Sequence, residues 1–436
     1  MAANFSALVL LLSLSYSTVP ILSLGIGINY GQIANDLPAP NRVLSLLNSI
    51  NISRVKLYDA DPNVLSAFAN SNVEFVISIS NGNLQNMTSS SNAQSWIQQN
   101  VQPYISQTKI SCILVGNEVL AGTDTQLMSY LLPAMQAVNT ALQNLGLNQQ
   151  VFVTTAHSLA ILANSFPPSA GSFNPSISSY IQPILNFHSE FNSPFLINAY
   201  PFFAYADNPD QVSLDYVLFE PNNGTVDATT NLTYDNMLYA QMDAVYFAMK
   251  AMGHTDIAIK ISETGWPSKG DSNQAGASVE NAALYNGNLL RRIQEKQGTP
   301  ANPTVPIDVY VFALFNENLK PGPTSERNYG LFYPNGTPVY SFGLQGYLPQ
   351  LNYSASSINV FSYSIFLVLN MAIFSWGYNR GESTDGGGAN IYVDCEFVML
   401  VEGGGIFSNL TPCEMLCSQS PCMWDTSTEA SNSIDT

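Results

Sequence analysis

The chain has 436 residues, 46% hydrophobic, 11% aromatic and 10% charged, which excludes a disordered chain, a coiled coil and a collagen-like repeat and suffices for one large core. Its 13 Lys and Arg against 31 Asp and Glu give a net charge of −18, which repels phosphate backbones and anionic lipid heads, so nucleic acid is not an expected partner. A neutral ligand suits such a surface, and the 22 Tyr and 22 Phe offer flat amphipathic faces on which sugar rings stack.

Residues 1–24 carry no charged side chain, and the apolar run 7–14 followed by small residues near Ser23 reads as a secretory signal peptide cut close to Gly25, with an N-terminal anchor helix as the alternative. Sequons at Asn51, Asn86, Asn223, Asn231, Asn335, Asn352 and Asn409 fit that route. From 25 to 350 short β-branched runs alternate with helical patterns. Strands are predicted at 26–30, 54–58, 74–79, 110–115, 151–155, 195–199, 257–261 and 307–314. Apolar residues at helical spacing predict helices at 42–50, 63–69, 93–105, 124–145, 177–191, 235–252 and 279–297. Eight strands imply an α/β fold closed as a (β/α)8 TIM barrel with helices outside, a doubly wound open sheet being the alternative. The longest insertion, 204–233 after strand six, is rich in Asp, Asn and Pro and reads as one wall of a groove together with Phe203 and Tyr205.

No GxGxxG fingerprint follows a strand, so no nicotinamide cofactor is expected. Cys112 lies in an apolar run and reads as a buried thiol, while three histidines in all make a His-based metal site improbable; no cofactor is expected. Residues 351–378 form a linker and hydrophobic segment: the small cluster 354–357 precedes 358–378, which has no charge. This is the pattern of a glycolipid-anchor signal or, because the chain runs on, of a membrane span. Residues 379–436 are an acidic tail containing four cysteines, of unknown role.

Catalytic groups in such a barrel come from the carboxyl ends of strands. Strand four runs into Gly116-Asn117-Glu118 and strand seven into Ser262-Glu263-Thr264-Gly265-Trp266. Glu118 and Glu263 can therefore face each other across the mouth. Opposed carboxylates suit glycosidic cleavage, where one is a protonated acid and the other an anion; the alternative is two solvated loop acids.

Gly27-Ile-Asn-Tyr-Gly31, Val115-Gly-Asn-Glu118, Asn198-Ala-Tyr-Pro-Phe-Phe203, Ser262-Glu-Thr-Gly-Trp-Pro267, and Phe315-Asn-Glu-Asn-Leu-Lys320 with Gly330-Leu-Phe332 resemble the plant glucan endo-1,3-β-glucosidases of glycoside hydrolase family 17. The resemblance spans about 25–345. It implies a (β/α)8 barrel that hydrolyses 1,3-β-glucan with retention, Glu118 as proton donor and Glu263 as nucleophile, and a charged cluster of Glu317, Lys320 and Glu326 beside the site. Asn117 then suits a substrate hydroxyl near the anomeric carbon, and Tyr200 suits orienting Glu263. Tyr30, Tyr58, Phe203 and Trp266 are sugar-stacking faces or core, and Lys320 either holds Glu317 ionised or pairs with it structurally. The expected protein is secreted to the cell wall, a monomer, with attachment to the outer face of the plasma membrane as an option. A mixed-linkage 1,3;1,4-β-glucanase and a non-catalytic wall-glucan-binding protein are the alternatives.

Overall fold

A computed structural model describes residues 26–341. The signal peptide, the hydrophobic segment within 351–378 and the acidic tail lie outside the described residues.

Eight parallel strands, β1 (Ile26–Tyr30), β2 (Arg54–Leu57), β3 (Glu74–Ile79), β4 (Lys109–Asn117), β5 (Phe152–Ser158), β6 (Phe195–Asn198), β7 (Ile259–Thr264) and β8 (Val309–Val311), close into a barrel. Each pairs with its sequence neighbours, and β1 pairs with both β2 and β8. The helices α1 (Pro40–Ser49), α2 (Pro62–Ala67), α3 (Ser90–Asn100), α4 (Thr125–Asn144), α5 (Ser178–Phe191), α6 (Met237–Ala251) and α7 (Val279–Gln294) connect them. This is a (β/α)8 barrel, and the open sheet is set aside because the ring of pairings is complete.

Local chemistry explains the helix starts. Proline needs no amide partner in a first turn, and Pro40 opens α1. Asp124 and Ser278 accept the Leu127 and Asn281 amides and so cap α4 and α7. The apolar stripe of α1 buries Val43, Leu46 and Leu47, each worth about 1.5–3 kcal/mol relative to exposure. Inside the barrel a small cluster of Val76, Cys112, Leu114, Ala156, Leu196 and Tyr310 fills the space between strands. Gly27 is required there, because a Cβ on it would lie 2.2 Å from the Tyr310 ring. Cys112 is a buried thiol, and burial pushes its pKa up.

Several boundaries differ from the periodicity. Strand β7 begins and ends later than 257–261, and β8 is only three residues long within 307–314. The 204–233 insertion is more ordered than its composition predicts. It contains most of a helix, Pro201–Asp207, a one-turn helix, Leu214–Val217, and a hairpin of Thr225–Asp227 with Leu232–Tyr234. Asp227 ties this hairpin to the β5–α5 connection by accepting both the Ser169 amide and its hydroxyl, each at 2.8 Å. Among the described residues no helix is long and apolar enough to cross a membrane.

Candidate active site

The site is assembled by two irregular strand ends. Along β7, Ile261 sits opposite Ile197 of β6, but Glu263 sits opposite Asn198, so Ser262 is an extra residue. An unbroken strand sends alternate side chains to opposite faces. Here Ser262 Oγ and Glu263 Oε1 both reach Lys56 Nζ, at 2.8 and 2.7 Å. Lys56 lies on β2, level with Asn29 of β1, and is fully buried.

Three donors converge on the Glu263 carboxylate. Lys56 and the Tyr58 hydroxyl, the latter at 2.8 Å, donate to Oε1, and the Tyr200 hydroxyl donates to Oε2 at 2.9 Å. Asn29 braces this arrangement: its amide Nδ2 donates to the carbonyls of Ser262, Tyr310 and Val311, which turns its Oδ1 to within 3.1 Å of the Tyr58 hydroxyl. Burial alone would raise the Glu263 carboxyl. The charge and hydrogen bond of Lys56, then the Tyr58 hydroxyl and the charge of Lys320, hold it below the usual carboxylate value. Burial pulls the Lys56 ammonium down, and Glu263 and Glu118 oppose it. Tyr58 and Tyr200 are pushed well above the ordinary phenol value by burial and then by Glu263, so both remain donors.

Glu118 ends β4 through two positive-φ residues in three, Gly116 at +70° and Glu118 itself at +57°. Holding a glutamate there costs about 1–3 kcal/mol, which surrounding structure must offset. Its amide donates to the Ala156 carbonyl at 2.8 Å, and Asn81 clasps the preceding residue through the Asn117 amide and carbonyl. Asn198, level with Glu263, donates from Nδ2 to Glu118 Oε1 at 2.8 Å and so joins the two acids. Burial and then the Glu263 charge raise the Glu118 carboxyl, with Asn198 and Lys56 opposing. One carboxyl is therefore biased toward the anion and the other toward the acid.

A second acidic group borders the first. Glu317 is 3% exposed, and its Oε1 accepts the Ile33 amide at 2.8 Å. It lies directly over Gly31, where a Cβ would stand 2.4–2.6 Å from the carboxylate. Burial raises its pKa, with the Ile33 amide and Lys320 opposing. Lys320, the sequence-predicted partner of Glu317, instead makes its ion pair with Glu326, at 3.1 Å, and lies 4.2 Å above the Phe312 ring. Glu317 is anchored by the Ile33 amide, and the Lys320 charge favours its anion without an ion pair between them.

Two predicted stacking faces need correction. Trp266 is fully buried, packed edge-on against Phe202 and tilted against Tyr285, with Nε1 donating to the Gly276 carbonyl. Tyr30 is 2% exposed and packs edge-on against Phe315. Neither ring has a face free for a sugar. Tyr58 is half-buried, its hydroxyl committed to Glu263 and its ring beneath Lys56. Phe203 is 42% exposed and packs on Tyr200, so it does present a face at the mouth. Asn117 lies beside Glu118, with its Oδ1 3.4 Å from Asn198 Nδ2.

The periodicity overlooked Lys56, Asn29, Asn198 and Ser262. Lys56 had a usable signal: with Val55 and Leu57 facing the helices, a lysine on the inward face of a barrel strand is out of place without a carboxylate partner. A separate cavity of about 580 Å³, lined by Phe219, Glu220, Asn222, Asp235, Arg291 and Arg292 among others, contains none of these residues. Its groups largely satisfy one another, Arg292 with Asp235 and Asn288 with Glu220.

Comparison with known proteins bears on this geometry. The model of glycosyl hydrolases family 17 matches residues 26–344. Glucan endo-1,3-beta-glucosidase 14 of Arabidopsis thaliana is 60% identical over 373 residues, covering 85% of this chain and 95% of that protein. Glucan endo-1,3-beta-glucosidase 11 of the same plant is 55% identical over 340 residues, covering 78% and 80%. Among solved structures, CJP38, a beta-1,3-glucanase and allergen of Cryptomeria japonica pollen, superposes with a TM-score of 0.70 at 41% identity, covering 72% of this chain and 97% of its own. One of two plant beta-glucan endohydrolases with distinct substrate specificities gives 0.67 at 36% identity, covering 72% and 98%. With the eight-stranded barrel, the paired glutamates and these matches in hand, the chain belongs to glycosyl hydrolases family 17.

Proposed function

We propose that this protein is a secreted, endo-acting hydrolase of 1,3-β-glucan that works by double displacement with retention of configuration. The observation that carries the reading is the contrast between the two glutamates: Glu263 is held as an anion by three donors, and Glu118 is biased toward its protonated form. Two such groups are what glycosidic cleavage needs. In the first step a Glu263 oxygen bonds to the anomeric carbon, the glycosidic C–O bond breaks, and the Glu118 proton passes to the departing oxygen. In the second, water attacks the same carbon, Glu118 takes its proton, and the bond to Glu263 breaks. Asn117 beside Glu118 and the exposed ring of Phe203 against Tyr200 would hold the sugar in this reading. The Arabidopsis relatives named glucan endo-1,3-beta-glucosidases support the linkage.

Secretion, N-glycans and attachment at the plasma membrane through 358–378 belong to the same proposal. The sequon residues Asn86, Asn223, Asn231 and Asn335 are exposed, which supports their modification. Mixed-linkage glucan is a second reading, favoured because the same barrel serves plant endohydrolases with distinct specificities. Purified protein should shorten linear 1,3-β-glucan rapidly before much reducing sugar accumulates, and proton NMR should show the β-anomer first. Faster cleavage of mixed-linkage glucan would shift the substrate assignment; early α-anomer would overturn retention.

A further inference from the structure

The two oxygens of Glu263 are not equivalent. Oε1 holds Lys56 at 2.7 Å and Tyr58 at 2.8 Å, whereas Oε2 holds only Tyr200 at 2.9 Å. Lys56 cannot swing away: it is fully buried, its Nζ is also bound to Ser262 Oγ at 2.8 Å, and it stands 4.9 Å over the Tyr58 ring. An oxygen engaged by a buried ammonium and a phenol has its electron pairs committed, and one with a single neutral donor keeps a pair to give.

We propose that Lys56 is a positioning residue that fixes Oε1 and thereby selects Oε2 as the atom that attacks the sugar. This deepens the proposed function and rests on Glu263 being the nucleophile. The anomeric carbon bonds to Oε2 while the glycosidic bond breaks and the Glu118 proton leaves with the departing oxygen. Oε1 then becomes the carbonyl oxygen of the ester and keeps its Lys56 and Tyr58 donors. When water attacks, giving its proton to Glu118, the C–Oε2 bond breaks and the returning negative charge meets Lys56. Lys56 thus assists the second step more than the first, because charge is regained at the carboxylate there.

The surrounding charges define the control. Glu118, Glu317 and Lys320 also act on this carboxylate, Glu326 pairs with Lys320, and the phenols Tyr58, Tyr200 and Tyr329 stand around it. None supplies a second ammonium within hydrogen-bond reach among the described residues.

The test uses the full chain and its Lys56→Met, Lys56→Gln and Lys56→Arg variants with 2-deoxy-2-fluoro-β-laminaribiosyl fluoride and with an activated aryl β-laminaribioside. Wild type should be labelled at Glu263; labelling elsewhere would overturn the nucleophile assignment itself. Lys56→Met and Lys56→Gln should lose on the order of 10–10²-fold in kcat, the size of one charge-assisted bond. They should show a burst of aryl alcohol as the glycosyl-enzyme accumulates, and an acid limb moved to higher pH. Lys56→Arg should recover much of the rate and the wild-type acid limb. Binding of an uncleaved 1,3-β-gluco-oligosaccharide in a Glu118→Gln background should be unchanged by Lys56→Gln. If Glu263 is labelled in wild type while Lys56→Gln, folded by circular dichroism, keeps kcat within about twofold and the wild-type acid limb, Lys56 has no such role. Should neither neutral variant fold, Lys56→Arg carries the test: a folded Lys56→Arg enzyme that keeps a cation beside Glu263 yet loses about 10–10²-fold in kcat and shows a displaced acid limb would count against that charge fixing Oε1.

Discussion

Trp266 tests whether the aromatic residue three places after Glu263 binds sugar or builds the core. Its indole is fully buried between Phe202, Tyr205 and Tyr285, and its N–H donates to the Gly276 carbonyl at 2.8 Å. In Trp266→Phe two buried carbons are lost, about 1.5 kcal/mol at ~0.8 kcal/mol each. The Gly276 carbonyl keeps a second donor, Asn281 Nδ2 at 2.8 Å, so losing the indole bond costs only the net ~1 kcal/mol of one hydrogen bond. The total of about 2.5 kcal/mol is below the roughly 3–5 kcal/mol of a Trp→Ala change, as a phenyl replacement should be. With an unfolding entropy of about 2.1 cal/mol/K per residue, a body of roughly 320 residues loses ~1.5 °C per kcal/mol, so Tm should fall by ~3–5 °C. Differential scanning calorimetry reads this directly, and titration with a linear 1,3-β-gluco-oligosaccharide should give an affinity within about twofold of wild type. A variant that melts at the wild-type temperature but binds the oligosaccharide an order of magnitude more weakly would show that Trp266 is a sugar contact and not a core residue.

Glu118→Gln and Glu263→Gln should both abolish hydrolysis yet differ in stability. Glu263→Gln leaves the buried Lys56 without its carboxylate, a loss of about 3–5 kcal/mol or ~4–8 °C, whereas Glu118→Gln should stay within about 1 kcal/mol; equal melting temperatures would contradict the Lys56–Glu263 pairing. The pH profile should be a bell whose acid limb is protonation of Glu263 and whose alkaline limb is deprotonation of Glu118, with a plateau wider than two unperturbed carboxyls would give, because one pKa is lowered and the other raised. By the same depression, the stability that Glu263 contributes is present above the ordinary carboxylate range and is lost as pH falls through its lowered value, which acid melting curves of wild type against Glu263→Gln should resolve. Gly31→Ala places a methyl 2.4–2.6 Å from the Glu317 carboxylate and should cost about 1–3 kcal/mol by overpacking; a Glu317→Ala second change should relieve most of it in thermal melts.

The barrel was legible because its signal is repeated: eight apolar runs separated by amphipathic stretches leave few closed arrangements, and errors of two or three residues at ends such as β7 do not alter the count. The two glutamates were legible for a related reason, since each stands at the carboxyl end of an apolar strand run. What composition could not show is which aromatic rings turn inward. Trp266 and Phe203 both follow barrel strands, and only the helix Pro201–Asp207 and the Gly276 turn decide that one is enclosed and the other reaches solvent. The extra residue at Ser262 was hidden too, because a bulge leaves no periodic mark in a run as short as Ile259–Thr264. Lys56 could have been found by asking where an inward lysine finds its counter-charge.

The bulge at Ser262 has an evolutionary corollary. Because one inserted residue in the barrel wall turns Glu263 toward Lys56, the aim of this carboxylate is encoded in strand pairing, and Asn29, Lys56, Asn198 and Glu118 likewise stand on strands or at their ends. Phe203, Lys320 and Glu326 stand on connections instead. The connections can therefore be lengthened or exchanged to admit a different glucan without disturbing the reacting groups. Were Ser262 to pair with Asn198 in unbroken alternation, Glu263 would fall on the opposite face of the strand, out of the mouth, and hydrolysis should cease although the groove-lining side chains stay in place.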